Sequence, residues 1–216
     1  MRRYRIVEII AAVVVLSSVI VACAQDSGDV WNFPDFSAIQ LMGPARRPLP
    51  AKVYWSGKSM RVELTPTMAT LYLPASGKVY KLTVYPDKTR ECIVMTTEQA
   101  KMLPHPLQLL QGTRVERTSA GTETVEGHSC KVEKVVVTRP DGKTIESKVW
   151  EAEDLKGVPV KIESQTEHGK FTAVYREIAL GALDQALFTP PEKCIPYEKM
   201  GQVVENKVIE STPPRF

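Results

Sequence analysis

The chain has 216 residues, with 28 Lys and Arg against 25 Asp and Glu, and with 16 prolines, 12 glycines and four cysteines. Without residues 1–22 the balance is 25 basic against 24 acidic residues, which excludes the basic stripe of a nucleic-acid binder and gives no field for a polyanionic partner. A remainder of about 190 residues is one domain by default and can bury a substantial core without needing disulfides.

Residues 1–25, MRRYRIVEIIAAVVVLSSVIVACAQ, set a basic start (Arg2, Arg3, Arg5) before an apolar run from Ile9 to Ala22. That is the build of an export signal, and the run is short for a membrane span. Two cleavages fit. Ile20-Val21-Ala22-Cys23 reads as a lipobox that leaves Cys23 acylated as the new N-terminus, so that a lipid anchor ties the domain to a membrane. Ala22-Cys23-Ala24 equally allows a plain cut that releases a soluble chain from Gln25. Ala24 after Cys23, where Asp is absent, resembles lipoproteins passed to an outer membrane. The expected location is the periplasm, or the periplasmic face of the outer membrane.

Residues 23–35 read as a linker, within a stretch from Asp26 to Pro50 rich in Pro, Asp and Gly, that runs into a first strand near Phe36 to Met42. A hairpin follows: Val53-Tyr54-Trp55, a turn at Ser56-Gly57-Lys58, then Met60, Val62 and Leu64 alternating with Arg61 and Glu63. The same period continues through Thr70 to Leu73, Lys78 to Tyr85 and Thr89 to Met95, with turns at Pro74 to Gly77 and Pro86 to Lys88. Thr96-Thr97-Glu98-Gln99 resembles a helix start, and Pro104 and Pro106 limit the helix beyond Leu103.

Strands resume at Thr113 to Ser119 and Thr122 to His128, then Cys130 to Thr138, Lys143 to Glu151, Val158 to Gln165 and Phe171 to Ile178. Asp184 to Phe188 reads as one helical turn stopped by Pro190, and residues 201–216 as a mobile tail. About ten strands with one short helical insertion predict a mainly β fold over residues 36–200, a single antiparallel sheet that is strongly curved or nearly closed. Its apolar face, which includes Met60, Val62, Leu64, Leu71, Leu73, Leu82, Val84, Ile93 and Met95, must close over either the insertion, where Met102 and Leu103 lie, or a ligand.

Of the cysteines, Cys23 leaves the count as a lipid anchor or with the signal, so Cys92, Cys130 and Cys194 supply one disulfide and one buried thiol. Cysteine spacing does not choose the pair; a tether for the Pro-bounded segment around Cys194 favours Cys130 with Cys194, leaving Cys92 inward-facing on a strand. His105, His128 and His168 fall in Pro-His-Pro, Gly-His-Ser and Glu-His-Gly contexts and read as surface turns, with no metal-ligand spacing. His128 and Ser129 are adjacent and point to opposite faces, and the alternating Glu and Lys residues are a solvated sheet face, so no catalytic residues, metal or cofactor are assigned.

The run Gly121-Thr122-Glu123-Thr124-Val125-Glu126-Gly127-His128-Ser129-Cys130, with Asp141-Gly142-Lys143, Val149-Trp150, Val158-Pro159-Val160-Lys161 and Leu187-Phe188-Thr189-Pro190-Pro191, resembles a family of exported bacterial proteins of undefined function, DUF4412. Upstream, the run from Lys52 to Glu63 fits the same pattern. That family is related to the LolA/LolB-like lipoprotein carriers. The resemblance implies an unclosed β-barrel whose apolar concave face, plugged or lidded by short helices, binds acyl chains.

The expected function is therefore a non-enzymatic envelope protein that binds or carries lipid, an acyl chain or a lipoprotein. An envelope interaction or stress-sensing module, with the concavity filled by the protein's own helix, is the other reading.

Overall fold

The computed structural model describes residues 33–43, 48–102, 105, 114–139, 142–166 and 169–200. Strands β1 (Phe36–Met42), β2 (Leu49–Ser56), β3 (Ser59–Thr65), β4 (Met68–Leu73), β5 (Lys78–Val84) and β6 (Arg90–Thr96) form one meander. A second consists of β7 (Arg114–Val125), β8 (His128–Thr138), β9 (Thr144–Ala152), β10 (Pro159–Thr166) and β11 (Gly169–Leu180). Pairing of β1 with β11 joins the two, and with β12 (Ile195–Pro196) they make a twelve-stranded sheet in the order β12-β6-β5-β4-β3-β2-β1-β11-β10-β9-β8-β7. Only β12, laid beside β6, is parallel to its neighbour. The fold is mainly β, one curved and unclosed sheet, as the alternation predicts.

Local chemistry explains the meanders. Gly57 and Lys58 both have positive φ (51° and 88°), the backbone of a two-residue turn whose twist matches the flanking strands β2 and β3. Where the sequence suggests two pieces separated at Ala120-Gly121, there is one long strand, β7. The register shifts between Ser119 and Thr122, and Gly121 at φ 101° absorbs the bulge without ending the strand. The capping pattern at Thr96 forms: Gln99 donates its backbone N–H to Thr96 Oγ1 at 3.2 Å, and its side-chain oxygen accepts from Thr96 N at 2.9 Å. What it caps is a short 3-10 turn, Gln99–Met102, where a short helix is expected; Leu103 and most of residues 103–113 lie outside the described residues.

The principal core lies on one face, here the inner one, and draws on both meanders: Phe36, Val53, Trp55, Met60, Val79 and Met95 with Val135, Val149, Ile162 and Tyr175. Strands so far apart in the order contribute to one cluster because the sheet curls over it. Ala100, on the connection from β6 to β7, belongs to this cluster, so that connection enters the interior. The outer face is covered too. Leu71, Tyr80 and Cys92 pack there under Phe188, Leu183 and Leu187 of the C-terminal segment. A third cluster, Cys130, Val132, Trp150, Ala152 and Val160, shares Leu155 and Ile178 with the principal core.

The disulfide expectation is corrected. Cys92 bonds Cys194, with Cα atoms 4.6 Å apart, and Cys130 is the buried free thiol. The strand order gives the reason: Cys194 immediately precedes β12, which pairs with β6 where Cys92 sits, whereas Cys130 is on β8 at the far end of the sheet.

Candidate functional site

The apolar residues read from the sequence as one face divide between two. Met60, Val62, Ile93 and Met95 point inward and are buried. Leu64 continues the row of Met60 and Val62 but is 46% exposed. Leu71, Leu73 and Leu82 point outward into the cluster under Phe188, and Val84, opposite Arg90, shares their row. The register makes this unavoidable: Leu71 is opposite Arg61 and Tyr80, while Tyr72 is opposite Met60 and Val79. β4, Met68-Ala69-Thr70-Leu71-Tyr72-Leu73, is covered on both faces, and a strand covered on both faces loses the alternation that would separate them. Met102 ends the 3-10 turn; Leu103 and Cys23 are outside the described residues.

Among the described residues the inner face is filled by the protein's own side chains. Among cavities lined by described residues, one bounded by Trp55, Met60, Tyr72 and Val79 has a volume of only about 40 Å3. Deeper in, a polar chain crosses the apolar cluster. Gln40, fully buried, donates from Nε2 to the Tyr175 hydroxyl at 2.9 Å, and its Oε1 lies 3.0 Å from His105 Nε2, which makes that ring nitrogen the donor. The Tyr72 ring stands 6.1 Å from the imidazole. Burial lowers the His105 pKa from 6.5 to about 3 and pushes the Tyr72 and Tyr175 phenols up, so all three groups are neutral.

The surface-turn reading of His105 is therefore wrong: the ring is 3% exposed. His128 heads β8 with Nδ1 2.7 Å from an Asp154 oxygen, and Cys130 Sγ donates to the His128 carbonyl, which does not pair thiol and base. His168 lies outside the described residues. Glu123 and Glu126 are each held by a cation, Glu123 by Lys148 at 2.8 Å and Glu126 by Arg176 at 2.8 Å. The hydrogen bond from Lys148, then that from the Trp150 indole, lowers the Glu123 pKa.

Two large open spaces are lined by described residues: one of about 500 Å3 has mostly polar and charged residues around it, among them Lys134, Glu146, Lys148 and Glu163, and the other, with an apolar floor, is on the outer face. A groove of about 570 Å3 runs between the outward side chains of β3 to β6 and the strap Thr189-Pro190-Pro191. Its floor is Ala69, Leu82, Val84 and Cys92. Three devices fix the strap. Asp184 caps the turn Gln185–Phe188 by accepting from Ala186 N at 2.9 Å, Arg61 Nη1 donates to the Leu187 carbonyl at 3.3 Å, and Cys194 is bonded to Cys92. Sequence reasoning finds the helical turn and Cys194 but not the groove, because the groove exists only once the strap crosses the second face.

The groove has a polar end. Its carboxylates are engaged, Glu63 by Arg61 Nε at 2.8 Å and Glu91 by the Tyr85 hydroxyl at 3.1 Å. Arg90 and Lys193, both exposed, face no carboxylate within salt-bridge reach among the described residues. A second depression of about 350 Å3 adjoins it and shares these two cations. The backbone of β3 to β6 is already paired in the ladder, so the floor offers side chains alone.

No family model matches this chain and no curated protein does. Among solved structures it is similar to PNGF-II, at 11% identity and a TM-score of 0.41, over 80% of this chain and 33% of that one. It is similar to MucB at 15% identity and a TM-score of 0.40, over 78% and 62% of the two chains. A third is the Mycobacterium tuberculosis lipoprotein LppX, at 12% identity and a TM-score of 0.40, over 71% and 90%. The chain spans a third of PNGF-II and less than two thirds of MucB. Likeness at this level brings no activity, ligand or partner to the chain.

Proposed function

We propose that this chain is an exported, non-enzymatic envelope protein that binds a single apolar chain with an anionic head, a fatty acid or the acyl chain of a lipid or lipoprotein, in the outer groove. The observation that carries the reading is the pairing of an apolar floor (Ala69, Leu82, Val84) with two cations at one end, Arg90 and Lys193, that face no carboxylate within salt-bridge reach among the described residues. The volume of about 570 Å3 is in the range of small-molecule sites. Each methylene removed from water contributes about 0.8 kcal/mol, part of which is spent on ordering the ligand. An extended peptide suits the floor less well, since its own N–H and C=O groups would meet no free backbone there.

In this reading the half-barrel interior, filled by its own aromatics with Ala100 and His105, is the scaffold and the outer groove is the site. That moves the ligand away from the concave face the sequence suggests. The DUF4412 resemblance, the signal at residues 1–22, acylation of Cys23 and a place at the periplasmic side of the outer membrane belong to the same reading.

The test is titration of a fluorescent fatty acid into the purified chain, with Leu82→Glu as the control that puts a charge on the groove floor. The expected outcome is saturable one-to-one binding at micromolar affinity or better, weakened at least tenfold by Leu82→Glu. An absence of saturable binding by the folded protein would end the reading.

A further inference from the structure

The described residues carry five exposed large apolar side chains, Leu49, Leu64, Tyr85, Tyr197 and Met200. Strand pairing shows where three of them lie. Met42 is opposite Leu49, Thr65 opposite Met68, Val84 opposite Arg90, Thr166 opposite Gly169, and Thr138 opposite Thr144 and Arg114. These residues mark one rim of the sheet, and Leu49, Leu64 and Tyr85 all belong to it. Leu49 is 68% exposed, although it stands in the inward row of Ala51, Val53 and Trp55. The half-buried Met42, Val115 and Phe171 pack on the interior cluster at the same rim. Among the described residues the apolar inner face thus reaches solvent at this rim.

The same rim is basic. Among the described residues its turns and strand starts carry Lys88, Arg90, Arg114, Arg139, Lys143 and Lys170 against Asp87, Glu91 and Glu116, an excess of positive charge. Asp87 accepts from Thr89, Glu91 from Tyr85, and Glu116 pairs with Arg114 at 2.9 Å. The turns of the opposite rim carry Glu126, Glu153, Asp154 and Asp184, with Lys58 and Lys156. Apolar side chains ringed by cations complement one kind of surface, a bilayer with anionic headgroups, where the apolar groups enter the interface and the cations meet the phosphates. The groove opens at this rim between Pro66, Met68, Val84 and Arg90.

We propose that this rim docks on an anionic membrane surface and that the groove takes up or delivers its chain there. The transfer role rests on the groove reading, whereas the docking contact does not need it. The experiment is sedimentation of residues 24–216, free of leader and lipid, with vesicles of phosphatidylcholine alone or with one third phosphatidylglycerol. The variants are Leu49→Asp/Leu64→Asp and Lys88→Glu/Arg139→Glu, none of them lining the groove.

The expected result is binding to the anionic vesicles, at least tenfold weaker on phosphatidylcholine alone and in 0.5 M salt, and at least tenfold weaker for each variant. Thermal melting verifies that both variants are folded, and the fluorescent fatty acid still binds them as it binds the parent chain. No binding to anionic vesicles, or variants that bind as the parent does, overturns the docking surface. Vesicle binding with no fatty-acid binding overturns the groove reading and leaves the docking surface standing.

Discussion

His105 is buried beside Gln40 with its pKa lowered by desolvation from 6.5 to about 3. Between those values the unfolded chain binds a proton that the folded chain refuses, so stability is full above pH 6.5 and falls as the pH drops below it. The predicted loss is about 2 kcal/mol between pH 7 and pH 5 at the linkage slope of 1.36 kcal/mol per pKa unit. Urea unfolding across that range measures it, and His105→Gln is expected to flatten the dependence; an equal slope in both proteins contradicts the assignment. The sequence holds half of this site. Gln40 is a polar residue in the inward row Phe36, Ala38, Gln40, Met42, and a polar side chain in a buried row signals a partner elsewhere. His105, between two prolines and outside any period, carries no such signal.

At the scale of elements, the strands were legible because alternation and turn residues agree: Phe36–Met42, the Gly57-Lys58 hairpin and the Asp184-capped turn all form where those signals stand. What the alternation hides is the second covered face. β4 reads as a continuous apolar run, so the inward Tyr72 and the outward Leu71 and Leu73 merge into one surface until the register separates them. The strap that covers the outward set has no period of its own and is held by the Cys92–Cys194 disulfide, which closes a loop with a sequence separation of 102. Cys194→Ser is predicted to cost about 2–5 kcal/mol in denaturant unfolding. The same substitution is expected to weaken fatty-acid binding by loosening the groove wall, while a variant that binds as tightly as the parent would show that the strap is not part of the site.

For the whole molecule, the sheet divides its work between faces and rims. The inner face supplies the core, the outer face and the strap frame the groove, and one rim sets exposed Leu49 and Leu64 beside cations. A mainly β, curved sheet follows from the strand count and the apolar residues alone, whereas the apolar-floored groove depends on the Cys92–Cys194 connection, which cysteine spacing does not encode. The measurement that decides most directly where a ligand sits is photo-cross-linking with a diazirine fatty acid, followed by mapping of the modified peptides. Labels on Leu82, Val84 and the Thr189–Pro191 strap are the predicted result; labels on Met60, Val62 and Met95 of the inner face, or none above the unfolded control, would contradict it.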